Sequence, residues 1–379
     1  MKKMKILVTA LMLLCYGAGY AQFYPLRKID ERKIYSNILD ENRPILISKP
    51  NGYDQSKEKY FVVYVLDGNL NMYFTTGIAE LLYQAGYPRL LIVGIPSTYR
   101  TRDLTPSKTE EAPTGGGADN FMKFIENELM PYVNNNYRTH EYSVLIGHSY
   151  GGLFAAHVLE KNQDLFDAYI AITPTVVHDD FLISKRLNSK FNTINELAKT
   201  FFFSVGHEPG AEGDAVIELN EIFKKSAPAN LNWKYKYYPG ENHSTTPVIA
   251  TIDGLRFVFK DLVPDEKLVE EIGFTKTLEY YENLEKRYAK KINIPQRVLM
   301  NYGYPLLDSE NTEEAFKVFN YYKEAYPKNP VGYDGLAILY EKQRNLKMAI
   351  ENLRIIMKIA PGYEDAESRL AKLEGQLKE

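Results

Sequence analysis

Short apolar runs alternate with amphipathic segments through the first two-thirds of the chain. Runs rich in β-branched and aromatic residues predict eight strands, at Lys33–Leu39, Pro44–Ser48, Tyr60–Leu66, Arg89–Ile95, Tyr142–Gly147, Ala168–Thr173, Thr200–Gly206 and Trp233–Tyr238. Helical patterns lie between them, at Asn69–Gln84, Ala118–Asn135, Tyr150–Leu159, Gly213–Lys225 and Pro247–Leu262. The short turn between the first two strands indicates an antiparallel edge. The remaining alternation predicts an α/β fold with a mostly parallel sheet and helices on both faces.

Two connections in this region are unusually long. Residues Ser97–Gly117 follow the fourth predicted strand and contain three consecutive glycines, and residues His178–Leu197 follow the sixth. Long loops in compact domains are often functional, although simple insertion is an equally ordinary explanation. The second connection is expected to carry a lid-like helix.

The pattern becomes wholly helical after Leu262. Residues recur there with a period of 34, as in the pair Pro327 and Pro361 and the pair Ala315 and Ala349, which resembles tetratricopeptide repeats. We therefore predict an α/β domain at 22–262, a linker helix at 263–294 and repeats with a capping helix at 295–379. Two repeats are fewer than the roughly three needed for independent stability. We expect this region to pack on the α/β domain, to shape stability or substrate access, and to offer a surface for a protein partner.

The first 21 residues have the features of a secretory signal. Three lysines precede the apolar run Ile6–Cys15, and Gly19 and Ala21 favour cleavage before Gln22. A membrane anchor is the alternative, but this run is too short to span about 30 Å of hydrocarbon. The sequence thus predicts an exported protein, periplasmic or extracellular, with no membrane span in the mature chain. Cleavage removes Cys15, the only cysteine, so the mature chain has no disulfide.

Composition narrows the possible partners. The 379-residue chain has a formal net charge of −3, and its lysines and arginines are spread without a basic block. A nucleic-acid partner is therefore disfavoured. The sequence contains no cluster at metal-ligand spacing and no phosphate-binding glycine loop, so it predicts no metal and no cofactor.

The strongest chemical signal is the run Gly147-His148-Ser149-Tyr150-Gly151, which lies between a predicted strand and a predicted helix. This is the context of a nucleophile elbow, in which a strained turn exposes the serine hydroxyl at the edge of the sheet. Gly147 and Gly151 are expected because side chains there would collide with the neighbouring strand and helix. We predict Ser149 as the nucleophile and the backbone N–H of Tyr150 as an oxyanion donor. A chance glycine-rich turn is the alternative.

These residues and several other segments resemble the esterase D-like family of α/β hydrolases. That family includes siderophore esterases, feruloyl esterases, S-formylglutathione hydrolases and mycolyltransferases, and the siderophore-esterase-like members are the most similar. The resemblance covers about residues 28–262 and is carried by the segments at 63–69, 92–95, 99–106, 128–132, 137–139 and 147–154. The segment Ala171–Thr175 departs from it, since the family usually reads Ser-Pro-Ser there. The resemblance implies an α/β-hydrolase fold, action on a carboxylic ester and a second oxyanion donor at the backbone N–H of Asn69. An ordinary turn in which Asn69 caps a helix is the alternative.

The general base is predicted from its position in the chain. His243 follows the last predicted strand of the α/β domain, where the order Ser, acid, His places the base. The acid should follow the strand Thr200–Gly206. Glu208 is the favoured candidate and Asp214 the competitor, since an acid at the start of a helix is also a good cap. Some siderophore esterases of this family are thought to work with only Ser and His, which leaves the acid open.

Arg100 and Arg102 lie on the loop after a central predicted strand, near the expected site, and are candidates for substrate binding. The alternative is an ion pair with Asp103 or a role in ordering the loop. Together these features predict a serine hydrolase acting on a small-molecule ester. An acyltransferase with a sugar or lipid acceptor, and an inactive hydrolase domain serving repeat-mediated binding, remain alternatives.

Overall fold

The computed structural model describes residues 27–263, 266–288, 291–309, 311–363 and 365–377. The predicted signal segment at 1–21 lies outside the described residues. Among the helices that are described, none combines the length and the apolar composition needed to cross a membrane.

One sheet of eight strands organises the first part of the described chain. The strands are β1 (Asp30–Ser36), β2 (Glu41–Ser48), β3 (Tyr60–Leu66), β4 (Leu90–Ile95), β5 (Thr139–His148), β6 (Ala168–Ile172), β7 (Thr200–Gly206) and β8 (Asn232–Tyr238). Their order across the sheet is β1-β2-β4-β3-β5-β6-β7-β8. β1 with β2 and β2 with β4 are antiparallel, and the remaining neighbours are parallel. The predicted antiparallel edge and mostly parallel sheet are confirmed.

The strand sequences fit their positions in the sheet. β3 and β7 have the predicted boundaries, and every residue of both strands is buried. Such continuous apolar runs are typical of parallel strands covered on both faces. β1 lies at an edge, and its sequence Asp-Glu-Arg-Lys-Ile-Tyr-Ser is largely charged. Charge on an edge strand disfavours pairing with another chain.

Helices cover both faces of this sheet. They are α1 (Gly68–Gln84), α2 (Arg100–Leu104), α3 (Ala118–Phe124), α4 (Met130–Asn136), α5 (Tyr150–Lys161), α6 (His178–Phe191), α7 (Ala211–Ser226) and α8 (Thr246–Val258). A π-helical turn at Ile125–Leu129 joins α3 to α4. Met72 of α1 and Leu255 of α8 belong to the core on one face. Side chains of α3, α5, α6 and α7 form the core on the other face.

Both long connections contain helices. The Ser97–Gly117 connection includes the short helix α2, which the sequence analysis missed. The His178–Leu197 connection includes α6, but the expectation of a lid is wrong. Ile183 and Leu187 of α6 are fully buried in the core, so the helix is part of the layer that covers the sheet.

The C-terminal region is entirely helical where it is described. Its helices are α9 (Glu266–Tyr288), α10 (Gln296–Asp308), α11 (Thr312–Ala325), α12 (Pro330–Lys342), α13 (Leu346–Ile359) and α14 (Ala366–Gln376). α9 lies in the predicted linker, and the other five lie in the predicted repeat region. A helical C-terminal region is thus confirmed, whereas its assignment to tetratricopeptide repeats stays a prediction.

This helical region packs on the α/β domain through aromatic residues. The ring of Tyr288 lies 5.8 Å from that of Phe61 and 4.8 Å from that of Tyr142, measured between centroids. The Tyr288 hydroxyl also donates a hydrogen bond to the carbonyl oxygen of Val258, at 3.2 Å. Phe61 and Tyr142 lie in the first halves of β3 and β5. The helical region therefore contacts the edge of the sheet opposite the carboxyl ends of these strands.

Candidate active site

Ser149 connects β5 directly to α5 in a strained backbone conformation. Its φ is 59° and its ψ is −119°, a region that non-glycine residues rarely occupy. The Ser149 N–H donates to the carbonyl of Ile172 at 3.0 Å, and the Ser149 carbonyl accepts from the N–H of Leu153 at 2.9 Å. These bonds hold the serine at the carboxyl end of β5. The strand order reverses between β3 and β5, and such points are where α/β sheets bind ligands.

The glycines around the elbow differ in how strictly they are required. A Cβ on Gly147 would lie 2.1 Å from the carbonyl oxygen of Gly151, so no side chain fits there. A Cβ on Gly151 would approach Leu66 no closer than 3.4 Å, which is ordinary contact. Gly152 is tighter, because a Cβ there would lie 2.9 Å from the Cα of Pro174. The expectation that Gly151 avoids a collision is wrong, and Gly152 is the position where α5 closely approaches the next strand connection.

His243 forms a pair with Glu208. His243 Nδ1 lies 2.9 Å from Glu208 Oε2. The Glu208 side chain is only 10 % exposed, whereas that of His243 is 38 % exposed. Asp214, the other candidate acid, is exposed in the first turn of α7. Of the two carboxylates, Glu208 is therefore the one that contacts the predicted base.

Backbone bonds hold the two loops that carry this pair. The His207 N–H donates to the carbonyl of Glu241 at 2.6 Å, which joins the loop after β7 to the loop after β8. The Asn242 side chain accepts from the N–H groups of Ser244 and Thr245, at 2.9 and 3.2 Å. This Asx-type turn surrounds His243 and begins α8.

Two helix N-termini meet beside Ser149. Tyr150 is the first residue of α5 and Asn69 the second residue of α1, and these helices follow the neighbouring strands β5 and β3. N–H groups in the first turn of a helix have no intrahelical acceptor, so they are available to an anionic ligand. Asp67, not Asn69, occupies the N-cap position of α1. The Asn69 side chain instead accepts from the N–H of Ser97, at 3.2 Å.

Comparison with known proteins identifies the family. The model of the family described as "Putative esterase" matches residues 36–246, which is more than half of the chain. The chain belongs to this family. The esterase is also similar to the ferri-bacillibactin esterase of Bacillus subtilis, with 29 % identity over 271 residues that cover 64 % of this chain and 93 % of the relative.

Two solved structures extend the comparison. An IroE-like serine hydrolase from Shewanella oneidensis aligns with a TM-score of 0.68 and 29 % identity, covering 78 % of the esterase and 99 % of that chain. An uncharacterised protein from Capnocytophaga ochracea aligns with a TM-score of 0.72 and 18 % identity, covering 92 % of the esterase and all of that chain. The second match shows a shared fold that extends into the helical region. The α/β-hydrolase fold is confirmed, and the chain is a carboxylic-ester hydrolase of the serine type.

Arg100 lies at the site of the esterase, but its guanidinium is bound within the protein. It donates to both carboxylate oxygens of buried Asp67, at 2.9 and 3.0 Å. It also donates to the carbonyl of His148 at 3.2 Å and lies 5.4 Å from the centre of the Tyr150 ring. Arg100 therefore links the start of α1 to the nucleophile elbow. These contacts favour a role in ordering the loop over a role in binding substrate.

Arg102 has a different set of partners. Its Nε donates to Asp103 at 2.7 Å, and its two terminal nitrogens donate to Glu41 at 3.1 and 2.7 Å. Asp103 is buried and also accepts from Arg43 at 2.7 Å. Because every guanidinium nitrogen of Arg102 has a carboxylate partner, the ion-pair alternative describes this residue, and the structure does not support substrate binding by it.

His148, inside the elbow, contacts the predicted base of the esterase. Its ring lies 4.6 Å from that of His243, and its Nε2 is buried without a hydrogen-bond partner among the described residues. Burial, with the adjacent His243 and Arg100, lowers the pKa of His148 to about 4. His148 is therefore neutral near pH 7 and places an uncharged ring against the base.

Thr175 is a contact of the predicted nucleophile, and the sequence contains little indication of it. Its Oγ1 lies 3.2 Å from Ser149 Oγ, and its N–H donates to the Ser149 carbonyl at 3.3 Å. The one available signal was its place in the Thr-Pro-Thr segment that departs from the family pattern. A hydroxyl at this position can hold the serine side chain until substrate binds.

Proposed function

We propose that the esterase works through an acyl-enzyme intermediate formed on Ser149. The observation that carries this proposal is the strained serine at the switch point of the sheet, next in sequence to His148, whose ring lies 4.6 Å from that of His243 in the His243–Glu208 pair. In the first half-reaction, Ser149 Oγ attacks the ester carbonyl carbon and His243 takes the hydroxyl proton. The N–H groups of Tyr150 and Asn69 stabilise the negative charge on the former carbonyl oxygen.

Collapse of this tetrahedral species breaks the bond to the alcohol, which leaves with the proton from His243. In the second half-reaction, water loses a proton to His243 and attacks the acyl carbonyl. The acid is then released and the Ser149 hydroxyl is restored. Glu208 holds the His243 ring and stabilises its positive charge during both steps.

Nucleophile labelling tests this mechanism directly. A fluorophosphonate probe should label the wild-type protein, and Ser149→Ala should abolish labelling and lower kcat by about 10³-fold or more. His243→Ala should be comparably damaging, and the double variant little worse than either alone, because the two groups act as a unit. Absence of labelling in the folded wild-type protein would favour the inactive binding domain. Transfer of the acyl group to an added alcohol in preference to water would favour the acyltransferase.

The substrate class that we propose is a siderophore ester. The named Bacillus subtilis relative is a siderophore esterase. Exposed apolar side chains also flank the site: Leu70 and Tyr73 follow Asn69 on α1, and Val248 and Ile249 follow His243 on α8. α1 and α8 pack together on the same face of the sheet. These side chains suit a substrate with aromatic or aliphatic groups beside its ester.

A panel of esters tests the substrate proposal. Catecholate lactones should show a higher kcat/KM than acetylated sugars, feruloyl sugars or p-nitrophenyl acetate. Leu70→Ser with Tyr73→Ser should reduce kcat/KM for the catecholate ester more than for p-nitrophenyl acetate. Preference for the feruloyl or acetylated sugars would contradict the siderophore proposal while leaving the esterase mechanism intact.

We also propose that the esterase is exported, on the basis of the signal features in residues 1–21. Expression of the full chain with its own N-terminus should yield a mature protein that begins at Gln22. N-terminal sequencing of the periplasmic or extracellular fraction measures this, and an uncleaved cytoplasmic product would contradict it.

A further inference from the structure

Three potential metal ligands converge at the acid–base pair. One ligand atom from each of Glu208, Glu212 and His243 lies within 4.8 Å of the others. The sequence predicts no metal-ligand cluster, because these residues come from the loop after β7, the first turn of α7 and the loop after β8. A Cβ on Gly213 would lie 1.9 Å from the carbonyl oxygen of Glu208. The glycine thus lets the first turn of α7 lie directly on the acid loop, which brings Glu212 to the pair.

The second carboxylate oxygen of Glu208 gives an independent reason to expect a ligand at this pair. The side chain is nine-tenths buried, and Oε1 is buried without a hydrogen-bond donor among the described residues. Both oxygens are bonded to one carbon, so Oε1 necessarily lies beside the oxygen that contacts His243. A buried carboxylate oxygen without a donor is energetically costly. A cation bound by both oxygens of this carboxylate would satisfy it.

We propose that Glu208, Glu212 and His243 form an inhibitory binding site for Zn²⁺. One imidazole nitrogen and two carboxylate oxygens are typical zinc ligands, with bonds of about 2.0–2.2 Å and room for water at a fourth position. Ligand atoms around such an ion are about 3.3 Å apart. Glu212 is exposed, so packing does not hold its side chain at its present distance from the other two ligands. Mg²⁺ and Ca²⁺ prefer sites made only of oxygen and serve as controls.

Zinc binding here is incompatible with catalysis. The ion binds Nδ1 of the neutral ring, and the ring proton then resides on Nε2, which can no longer take the proton of Ser149. The ion then replaces the hydrogen bond between His243 and Glu208. The ring loses the acid that orients it, and its positively charged form becomes unfavourable beside the cation. This inhibitory consequence depends on His243 being the base, whereas zinc binding itself does not.

The binding test uses the full-length Ser149→Ala protein, so that it does not depend on activity. Titration with ZnCl₂, followed by calorimetry, should show one site per chain, with no comparable binding of MgCl₂. Glu212→Gln in the same background should weaken zinc binding at least about ten-fold. Asp214→Asn is the matched control, since it removes an exposed carboxylate from the same helical turn and should leave binding unchanged. Equal binding by the Glu212→Gln protein would overturn the site.

The inhibition test uses p-nitrophenyl acetate and the wild-type protein. ZnCl₂ should slow hydrolysis, and EDTA should restore it. Glu212→Gln should keep the basal rate but need at least about ten-fold more zinc for half-inhibition. Stoichiometric binding without inhibition would overturn the inhibitory role of the site. Zinc binding in a protein that hydrolyses no ester would instead contradict the proposed function and leave the metal site standing.

Discussion

At the scale of single residues, the contact between His243 and Glu208 leads to a direct comparison of the two carboxylates. Glu208→Gln should lower kcat by roughly 10–10³-fold, because an amide orients the imidazole less well and cannot stabilise its charge. Asp214→Asn should change kcat less than about two-fold, since Asp214 is exposed on α7. Steady-state kinetics on p-nitrophenyl acetate measure both. Loss with Asp214→Asn alone would transfer the acid to that residue, and no loss with either would indicate a Ser–His dyad.

The bidentate bond between Arg100 and Asp67 leads to a prediction about kcat. Lysine keeps the charge but cannot make the bidentate bond to Asp67 or stack on Tyr150 as a guanidinium does. Arg100→Lys should therefore loosen the link between the start of α1 and the elbow, and lower kcat by about 10–100-fold with KM little changed. Arg102→Lys is the control, because Arg102 pairs with Glu41 and Asp103 away from the elbow. A rise in KM with unchanged kcat would return Arg100 to substrate binding.

His148 leads to a prediction about stability against pH. Its folded-state pKa of about 4 is below its ordinary value of 6.5, so the unfolded chain binds this proton more readily. The free energy of unfolding should therefore fall as the pH drops from 6.5 to 4, by on the order of 3 kcal/mol from this residue. His148→Gln should flatten the curve of Tm against pH across that window. Burial also lowers the pKa of His157, so the His148→Gln protein should keep a smaller slope of Tm against pH. Identical slopes in both proteins would show that His148 is not the group responsible.

At the scale of elements, the packing of α9 on the sheet is one of the contacts that attach the helical region. Tyr288 is only 1 % exposed and touches aromatic rings at the starts of β3 and β5. Tyr288→Ala should lower the free energy of unfolding by about 3–5 kcal/mol, since it removes a buried aromatic ring. Tyr288→Phe removes only the hydroxyl and its hydrogen bond, and should lose about 1 kcal/mol. Denaturant unfolding measures both, and equal losses would contradict packing as the main contribution of this side chain.

At the scale of the whole molecule, the helical region and the proposed catalytic groups lie at opposite edges of the sheet. Ser149, Glu208 and His243 follow the carboxyl ends of β5, β7 and β8. The helical region contacts Phe61 and Tyr142 near the starts of their strands. Of the two roles expected from the sequence, stability is thus the one that the packing supports, and shielding of the substrate entrance is not.

The kinetics of the folded Tyr288→Ala protein test this separation. Its kcat and KM should match the wild-type values for p-nitrophenyl acetate and for a bulky catecholate ester, at a temperature below its Tm. A selective change with the bulky ester would show that the helical region does reach the entrance.

Removal of residues after 263 should expose Phe61, Tyr142 and Phe259 to solvent, and should reduce solubility.

Local sequence alone predicted the strands of the sheet and the candidate nucleophile. The strands Tyr60–Leu66 and Thr200–Gly206 were predicted to the residue, because buried parallel strands are continuous apolar runs with polar or glycine boundaries. Ser149 was identifiable because a strand, a glycine-bounded serine and a helix follow one another without interruption. His243 followed from chain order. The strands and Ser149 are identified within short stretches of chain, because apolar periodicity and turn residues are local features. His243 is identified from the order of the elements along the chain.

Only the tertiary structure decided what these residues touch. The sequence favours Glu208 over Asp214 only by its position just after a strand, and the approach of the loops after β7 and β8 is what brings Glu208 to His243. From sequence alone, Arg100 is a candidate for substrate binding. In the fold, the ends of β3 and β4 bring Asp67 to its guanidinium, and the two form a bidentate ion pair. Glu212 joins the pair only because α7 begins against the acid loop. Contacts of this kind depend on which loops meet at one edge of the sheet, and that is set by the packing of elements far apart in the chain.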